Sequence, residues 1–480
     1  MRAIIAGAGP AGFATAKWLT DRGHEVILLE KRDVPGGKVS AWRDADGDWV
    51  ESGLHVFFGA YRTLLGFLDE CGLRDCFDWK PAEMVFALPD NRRSSIRFVP
   101  GLPPPLNGLA GVALTTLLPA RDKARLALGL LGPIFGSQAY IDAQDDQTYA
   151  AWHLRHGMGE RSLRTVMDTM ALALNFQTSE NVSAKLPLTA LLHFAQQPGA
   201  ARMGLVKGSP HERIWVPLTR LLEGRGAQVV LNRRVREIVH DPGANRVRGF
   251  LLDDGTLLTG DLYISAMPVH SLRKTLPDSL RAMPYFAGLK HLKGQPVITA
   301  QLYFDRMVTD VDHLIFSSHS HISVYADLPR VSPDYHTGRG SIIELVVAPA
   351  ERLIAQSDDE VLRVVLDDFY RMHPAARAAR LVKHTLVRIP NSVYQARPGV
   401  DTYRPDQASP VPNLFLAGDF TRQEFLASIE GAIRSARRAV ERIDAAAQRL
   451  ATAQDGRQTM NDGRWAMDES RRSSLPAPSP

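Results

Sequence analysis

Residues 2–19, RAIIAGAGPAGFATAKWL, pass from a short apolar run through Gly7-x-Gly9-x-x-Gly12 into a helical pattern. Residues 25–30, EVILLE, supply the next apolar run, with Glu30 at its end. Strand, glycine turn, helix, strand and acid, in that order, are what a dinucleotide site requires. Gly7 permits the tight turn, Gly9 lets backbone approach a pyrophosphate, and Gly12 lets helix and strand pack closely. The helix N-terminus offers unpaired N–H groups and a positive dipole end to the phosphates. Glu30 is then placed to accept hydrogen bonds from a ribose diol. A lone glycine motif more often marks a plain turn; here the full context carries the reading.

The pattern continues through Lys31-Arg32-Asp33-Val34-Pro35-Gly36-Gly37-Lys38, a second glycine pair followed by a cation. NAD enzymes do not need that element. FAD enzymes of the glutathione-reductase-like class use a second backbone stretch to cover the pyrophosphate and ribityl chain, so the reading moves to FAD. Near the other end, NLFLAGD (413–419) reads as a buried strand ending in Gly-Asp, and SIEGAIRSARRAVERI (428–443) reads as a helix. That arrangement puts Asp419 beside the ribityl-pyrophosphate and points a helix N-terminus at the flavin ring.

A chain of 480 residues can form two or three domains with substantial cores. Its 45% hydrophobic and 23% charged residues place it among soluble globular proteins. The net charge is +5, yet no Lys/Arg block is interleaved with aromatics, which argues against nucleic acid as a partner. The excess suits an anionic lipid surface better. Cys71 and Cys76 match no zinc or redox spacing and are expected as structural thiols in a reducing cytoplasm. Ala3 to Ala8 reads as a strand rather than a signal-peptide core. Residues 98–120 are uncharged but broken by prolines and glycines. After Arg121, Asp122, Lys123 and Arg125 comes a second uncharged run, 126–141. Such segments suit a surface that dips into one leaflet; a loop and helix packed on the core is the competing reading. The expectation is a cytoplasmic protein held peripherally on a membrane.

The fold class expected is α/β: a Rossmann-type, glutathione-reductase-like FAD-binding domain with an interleaved α+β substrate domain. Residues 1–105 form its first FAD-binding part and 106–204 a mainly helical substrate and membrane-contact region. Residues 205–270 return to the FAD-binding domain, 271–404 supply the β-sheet part of the substrate domain, and 405–448 close the FAD-binding domain. Residues 449–480 read as a disordered tail. Within these parts, DADGD (44–48) signals a hairpin, 62–77 a helix, and 358–372 a second helix. Strands are expected at 297–304, 321–328, 341–348 and 384–389.

Several stretches resemble the plant- and cyanobacterial-type 15-cis-phytoene desaturases of the flavin amine-oxidase superfamily. They include GGKVSAWRDADGDWVESGLHVFFGAYRTL (36–64), GLLGPIFGSQAYIDAQD (129–145), ALALNF (171–176), SVYADL (323–328) and LFLAGDFTRQEFLASIEGA (414–432). The likeness runs from about residue 1 to 445, and DGDW and GSQAY favour the phytoene member over the ζ-carotene member. Position by position it implies FAD contacts at Ala11, Glu30, Lys31, Lys38, His55, Val56, Tyr61, Val235, Asp419 and Ile429. With Gly7, Gly9, Gly12 and Gly37 these complete the expected cofactor site. Substrate contacts are implied at His193 and Ala427. His193 is a departure, since the family usually carries arginine in a stretch like LNRFLQ where this chain reads LLHFAQQ. Histidine keeps a donor but loses the fixed charge and fork geometry.

A carotenoid precursor offers nothing polar to hold, so its site should be a long apolar tunnel. No catalytic dyad or nucleophile elbow stands out, and no metal site is assigned; His319 and His321 lack a third ligand in the sequence. The expected chemistry is flavin-centred: a CH₂–CH₂ unit gives a hydride to flavin N5 and loses a proton from the neighbouring carbon. His55, His193 and Tyr394 are the candidate participants, with a packed or cavity-lining role as the plainer account of each. The family implies a membrane quinone as electron acceptor, a phytoene-like isoprenoid as substrate, and admits a homo-oligomer. Competing readings are a ζ-carotene desaturase, a polyene isomerase, another isoprenoid oxidoreductase, an ordinary amine oxidase, or a non-catalytic prenyl-lipid carrier.

Overall fold

The computed structural model describes residues 1–449 except 90, 318, 319, 337 and 339; the expected tail at 450–480 lies outside the described residues. Strand β1 (Arg2–Ala6), helix α1 (Pro10–Asp21) and strand β2 (Glu25–Leu29) form the first crossover unit. They belong to a five-stranded parallel sheet ordered Gln228–Val230, β2, β1, Leu262–Ser265, Leu414–Leu416. A parallel sheet is covered on both faces, so its central strand reads as an uninterrupted apolar run. Ala3, Ile4 and Ile5 are accordingly without exposure.

The chain leaves this sheet after Val230 and makes an antiparallel meander, Val235–Asp241, Arg246–Leu252 and Leu257–Leu258, before rejoining it beside β1. Leu414–Leu416 adds the last strand, and a helix at 429–449 follows it. The five-stranded sheet is thus built from three separated stretches of chain.

The second sheet has seven strands, ordered Leu381–Tyr394, Gly294–Phe304, Ile342–Val347, Ile322–Asp327, Ile315–Phe316, Glu83–Leu88, Arg92–Arg97. Helix Asp358–Met372 is capped by Ser357, whose hydroxyl accepts from the Glu360 N–H. It lays Val361, Val365 and Phe369 on one face of this sheet. Here one expectation moves. Residues 83–97, read as part of the first FAD-binding segment, pair instead into the substrate sheet through a parallel bridge to Ile315–Phe316. A hairpin strand carries no sequence mark of which sheet edge it will extend.

The helix expected over 62–77 stops at Glu70, because Gly72 takes φ +70° and turns the chain into a short 3₁₀ segment at Arg74–Cys76. A group of short helices from Leu106 to Gln196 packs together and against the seven-stranded sheet, touching Arg92–Arg97 and Ile322–Asp327. Among the described residues no helix is long and apolar enough to cross a membrane. Both cysteines are free, and burial pushes their thiols up, to about 11 for Cys71 and about 12 for Cys76.

Candidate active site

The glycine loop shows its purpose in what a side chain would strike. Gly12 is in contact with the preceding turn, where a Cβ would sit 1.9 Å from the Gly7 carbonyl oxygen. Gly7 itself has φ +107°, a conformation that favours glycine, and is 2.9 Å from the Ala266 carbonyl oxygen by the same measure. The second glycine pair packs directly against the first: the Gly36 N–H donates to the Ala8 carbonyl at 2.8 Å, and a Cβ on Gly37 would meet the Gly9 Cα at 3.0 Å. The two stretches together make a side-chain-free floor.

Helix α1 starts on this floor at Gly9, with Pro10 in its first turn and no side-chain cap. Its first N–H groups are therefore left for a ligand. At the end of β2, the Glu30 carboxylate accepts from the Ala8 N–H and the Arg32 N–H, both at 3.0 Å. Each oxygen keeps lone pairs to accept from a diol. Across the cleft, Gly418 ends the strand Leu414–Leu416 region with its N–H donated to Ser435 Oγ at 2.7 Å, and Asp419 lies 3.6 Å from the Lys38 ammonium. His270 stands near this pair. Burial, then the charges of Lys38 and Lys31, push its imidazole down to about 4, so it is neutral at pH 7. A floor without Cβ atoms, an uncapped helix start and a buried carboxylate at the strand end fit a dinucleotide.

The cleft continues past the glycines as an apolar slot. Its walls include His55, Val56, Tyr61, Phe176, Phe425 and Ala427, with Ile429 at the start of the C-terminal helix. Phe176 (φ +60°) and Ala427 (φ +49°) both hold left-handed backbone that non-glycine residues avoid, and both face this slot. His55 Nε2 is 2.8 Å from the Lys38 carbonyl oxygen, which fixes the ring against the wall. Glu430, fully buried, accepts from the Thr63 and Leu64 N–H groups at the start of helix Arg62–Glu70 and from Arg434 Nε. One carboxylate thereby caps one helix from the first turn of another.

A second cavity, almost wholly apolar, lies beyond the first. Phe58, Ala173, Leu174 and Phe194 line both, and the Phe58 and Phe194 rings meet at 4.9 Å. Its remaining wall is methionine-rich and aliphatic, with Met84, Leu109, Val112, Leu130, Ile134 and Met170 from the short helices and the second sheet. The outer sides of those helices carry Leu106, Leu114, Leu128 and Phe135 in the open, at 53%, 72%, 69% and 66% exposure. Arg121 and Arg125 are exposed beside them. The slot, the second cavity and a bare apolar surface therefore follow one another.

Gly7, Gly9, Ala11, Glu30, Gly37, Lys38, His55, Val56, Tyr61, Ala427, Asp419 and Ile429 all line the one cleft. Gly12 lies beneath it. Four named candidates do not reach its wall. Lys31 is exposed beyond Glu30, and Val235 is buried at the start of its strand. His193 is stacked on Phe425 at 4.5 Å, with the Arg434 guanidinium 4.7 Å from the Phe425 ring centre. Burial, then Arg434, lower its basicity, so it is a neutral ring in an aromatic stack. Tyr394 packs with its hydroxyl buried and its ring centre 5.9 Å from the Arg404 guanidinium; burial raises its phenol, which stays protonated. The aromatic walls Phe58, Phe194 and Phe425 were not foreseen, since a phenylalanine in a strand, helix or bend reads as ordinary core.

Three carboxylates of the hairpin turn, Asp44, Asp46 and Asp48, converge within ligating distance of one another. The Lys383 ammonium sits among them at 2.6, 2.7 and 2.7 Å, in the place a cation would take. His321 bonds to Asp368 at 3.0 Å, a carboxylate the sequence did not reveal, while His319 lies outside the described residues.

The flavin containing amine oxidoreductase family matches residues 10–444. The chain is 41% identical over 455 residues to the 15-cis-phytoene desaturase of Synechococcus elongatus, spanning 93% of this chain and 96% of that one. It is 40% identical over 450 residues to the chloroplastic/chromoplastic 15-cis-phytoene desaturase of Glycine max, spanning 92% and 79%. Against the zeta-carotene desaturase of Synechocystis it is 35% identical, spanning 92% and 97%. Among solved structures, an oxidoreductase from Methanosarcina mazei superposes with a TM-score of 0.69 at 16% identity, spanning 92% and 100%. Putrescine oxidase superposes at 0.65 with 17% identity, spanning 94% and 99%.

Proposed function

The chain belongs to the flavin containing amine oxidoreductase family and is an FAD-dependent oxidoreductase acting on CH–CH groups; from that premise we propose that it desaturates 15-cis-phytoene toward ζ-carotene. The observation that carries this reading is the apolar continuity from the glycine-floored cleft, past Phe58 and Phe194, to an exposed apolar surface. An amine substrate would need polar or charged recognition, and the slot beyond His55 is walled almost entirely by carbon.

Bound FAD supplies a two-electron acceptor and the protein supplies position and dryness. Gly7, Gly9, Gly37 and the start of α1 would hold the pyrophosphate, Glu30 the ribose, and Asp419 with Ile429 the ribityl end. His55, Val56 and Tyr61 would face the ring system. The polyene would lie between Phe58, Phe194, Phe425 and Phe176, where buried area holds a chain without polar groups at ~25 cal/mol per Å². The hydrocarbon gives up a hydride and a proton from adjacent carbons. Walls of this kind keep water out and hold the chosen carbon pair in a reactive geometry.

Helices 106–135 would rest on the bilayer, with Leu114, Leu128 and Phe135 in the acyl boundary and Arg121 and Arg125 near the headgroups. The same surface would admit substrate, and a membrane quinone would carry the electrons away. Liposomal 15-cis-phytoene given anaerobically to FAD-loaded protein, with and without a quinone, tests the reading. Bleaching of the flavin band with appearance of ζ-carotene supports it. Unchanged phytoene with consumption of ζ-carotene would transfer the chain to the ζ-carotene reaction, and oxidation of amines alone would end both.

A further inference from the structure

Behind His55, away from the slot, lies a group of buried acids that the dehydrogenation itself does not call on. The Lys38 carbonyl can only accept, so His55 Nε2 donates to it and carries the ring proton. Nδ1 is then bare, buried and without a hydrogen-bond partner among the described residues. It faces Glu51 Oε2 at 3.9 Å. A lone pair aimed at a carboxylate leaves one place open for a proton.

Glu51, 6% exposed, accepts from the Tyr335 hydroxyl at 2.5 Å through its other oxygen. Glu344 stands next to it in the middle of the strand Ile342–Val347, with no exposure and neither oxygen hydrogen-bonded among the described residues. Burial, then the charge of Glu51, hold the Glu344 carboxyl well above the usual carboxylate range. Its carboxyl is therefore held in the neutral form. Tyr303 and Gln301 face Glu344 from the neighbouring strand, and Tyr335 closes the group on the other side. Beyond the Tyr303 ring lies Lys383, 5.2 Å from its centre and already held by Asp44, Asp46 and Asp48. Tyr335 is held protonated by burial and by Glu51, so it remains a donor.

We propose that His55 and Glu51 form a proton site coupled to the redox state of the bound flavin, with Glu344 packed beside Glu51 behind the ring. This rests on the cleft being the FAD site and on His55 facing the flavin. Dehydrogenation breaks two C–H bonds and forms the second bond of C=C. The hydride, with its electron pair, goes to FAD, and the proton is left over. Hydride arrival brings negative charge next to His55, and the proton taken up at Nδ1 balances it. Glu51 stabilises the resulting imidazolium, and reoxidation by the acceptor releases the proton again.

The test is the flavin midpoint potential of FAD-loaded protein as a function of pH, followed spectroscopically with a chemical reductant and no substrate. Its outcome is therefore independent of which hydrocarbon the enzyme uses. A hydride equivalent carries one proton per two electrons, which moves the potential by about 30 mV per pH unit. The second proton at His55 doubles that to about 60 mV per unit around neutral pH. Glu51→Gln and His55→Gln should each return the slope to the single-proton value, whereas Glu344→Gln should keep the doubled slope. Infrared spectra of the unreduced protein should show a carboxylic C=O band at neutral pH that is missing in Glu344→Gln. A single-proton slope in the unmodified protein overturns the proposal, whatever the variants do. So does a doubled slope that survives Glu51→Gln or His55→Gln.

Discussion

The two ends of the cleft are kept open by different means. At the nucleotide end the shape is made by backbone: four glycines, an uncapped helix start and one carboxylate bonded to two N–H groups. At the hydrocarbon end it is made by side chains drawn from residues 58 to 316, none of them individually demanding. A backbone site fails when a single atom is added, because peptide groups cannot step aside. A side-chain site yields by degrees, since methionine and leucine repack.

Gly12→Val is the sharpest way to probe that contrast. Its Cβ would fall 1.9 Å from the Gly7 carbonyl oxygen. The expected result is loss of FAD affinity by at least ~100-fold, read from flavin fluorescence on titration, since strain of a few kcal/mol falls on the binding loop. Affinity within a few-fold of the parent protein would mean that the loop is not the floor of the site.

Next in size is the outer surface. Leu114→Asp, Leu128→Asp and Phe135→Asp together remove three exposed apolar side chains, each contributing ~1.5 kcal/mol or more to lipid contact. Vesicle sedimentation should show binding weakened by at least ~100-fold with FAD affinity unchanged. Undiminished vesicle binding would detach this surface from the membrane reading. Glu30→Ala leaves the Ala8 and Arg32 N–H groups without their acceptor. At ~1.5–3 kcal/mol for hydrogen bonds to a charged group, FAD should bind roughly 10- to 100-fold more weakly.

The smallest effect belongs to the side-chain end. Phe194→Trp enlarges a ring that lines both cavities. Steady-state rates on liposomal substrate should show KM raised by up to ~10-fold, with flavin content intact. Equal loss of flavin would show the two ends to be one mechanical unit and dissolve the contrast.

Much of the nucleotide end is legible in the chain, because glycine at Gly7, Gly9, Gly12 and Gly37 is a chemical demand that few other circumstances impose. Lys31 and Val235, named from resemblance, prove to stand off the wall: a position in a motif does not say which way its side chain turns. For His193 and Tyr394 a packed or cavity-lining role is the plainer reading of the sequence; in the structure Phe425 stacks on the first and the packing around Arg404 encloses the second. The hydrocarbon end left almost no local trace. Leucine, methionine and phenylalanine at helical spacing look alike whether they fill a core or line a void. Nor does the sequence pair Glu344 with its neighbour Glu51, which is almost three hundred residues away in the chain.

By itself the amino-acid sequence determined the crossover unit and the cofactor class, since these rest on backbone geometry that only certain residues permit. Tertiary structure alone decided the shared wall of the cleft and the second cavity, the sheet that residues 83–97 join, and the meeting of His55, Glu51 and Glu344. Those features arise where distant segments come into contact, and contact between distant segments depends on the packing of the whole rather than on any local pattern.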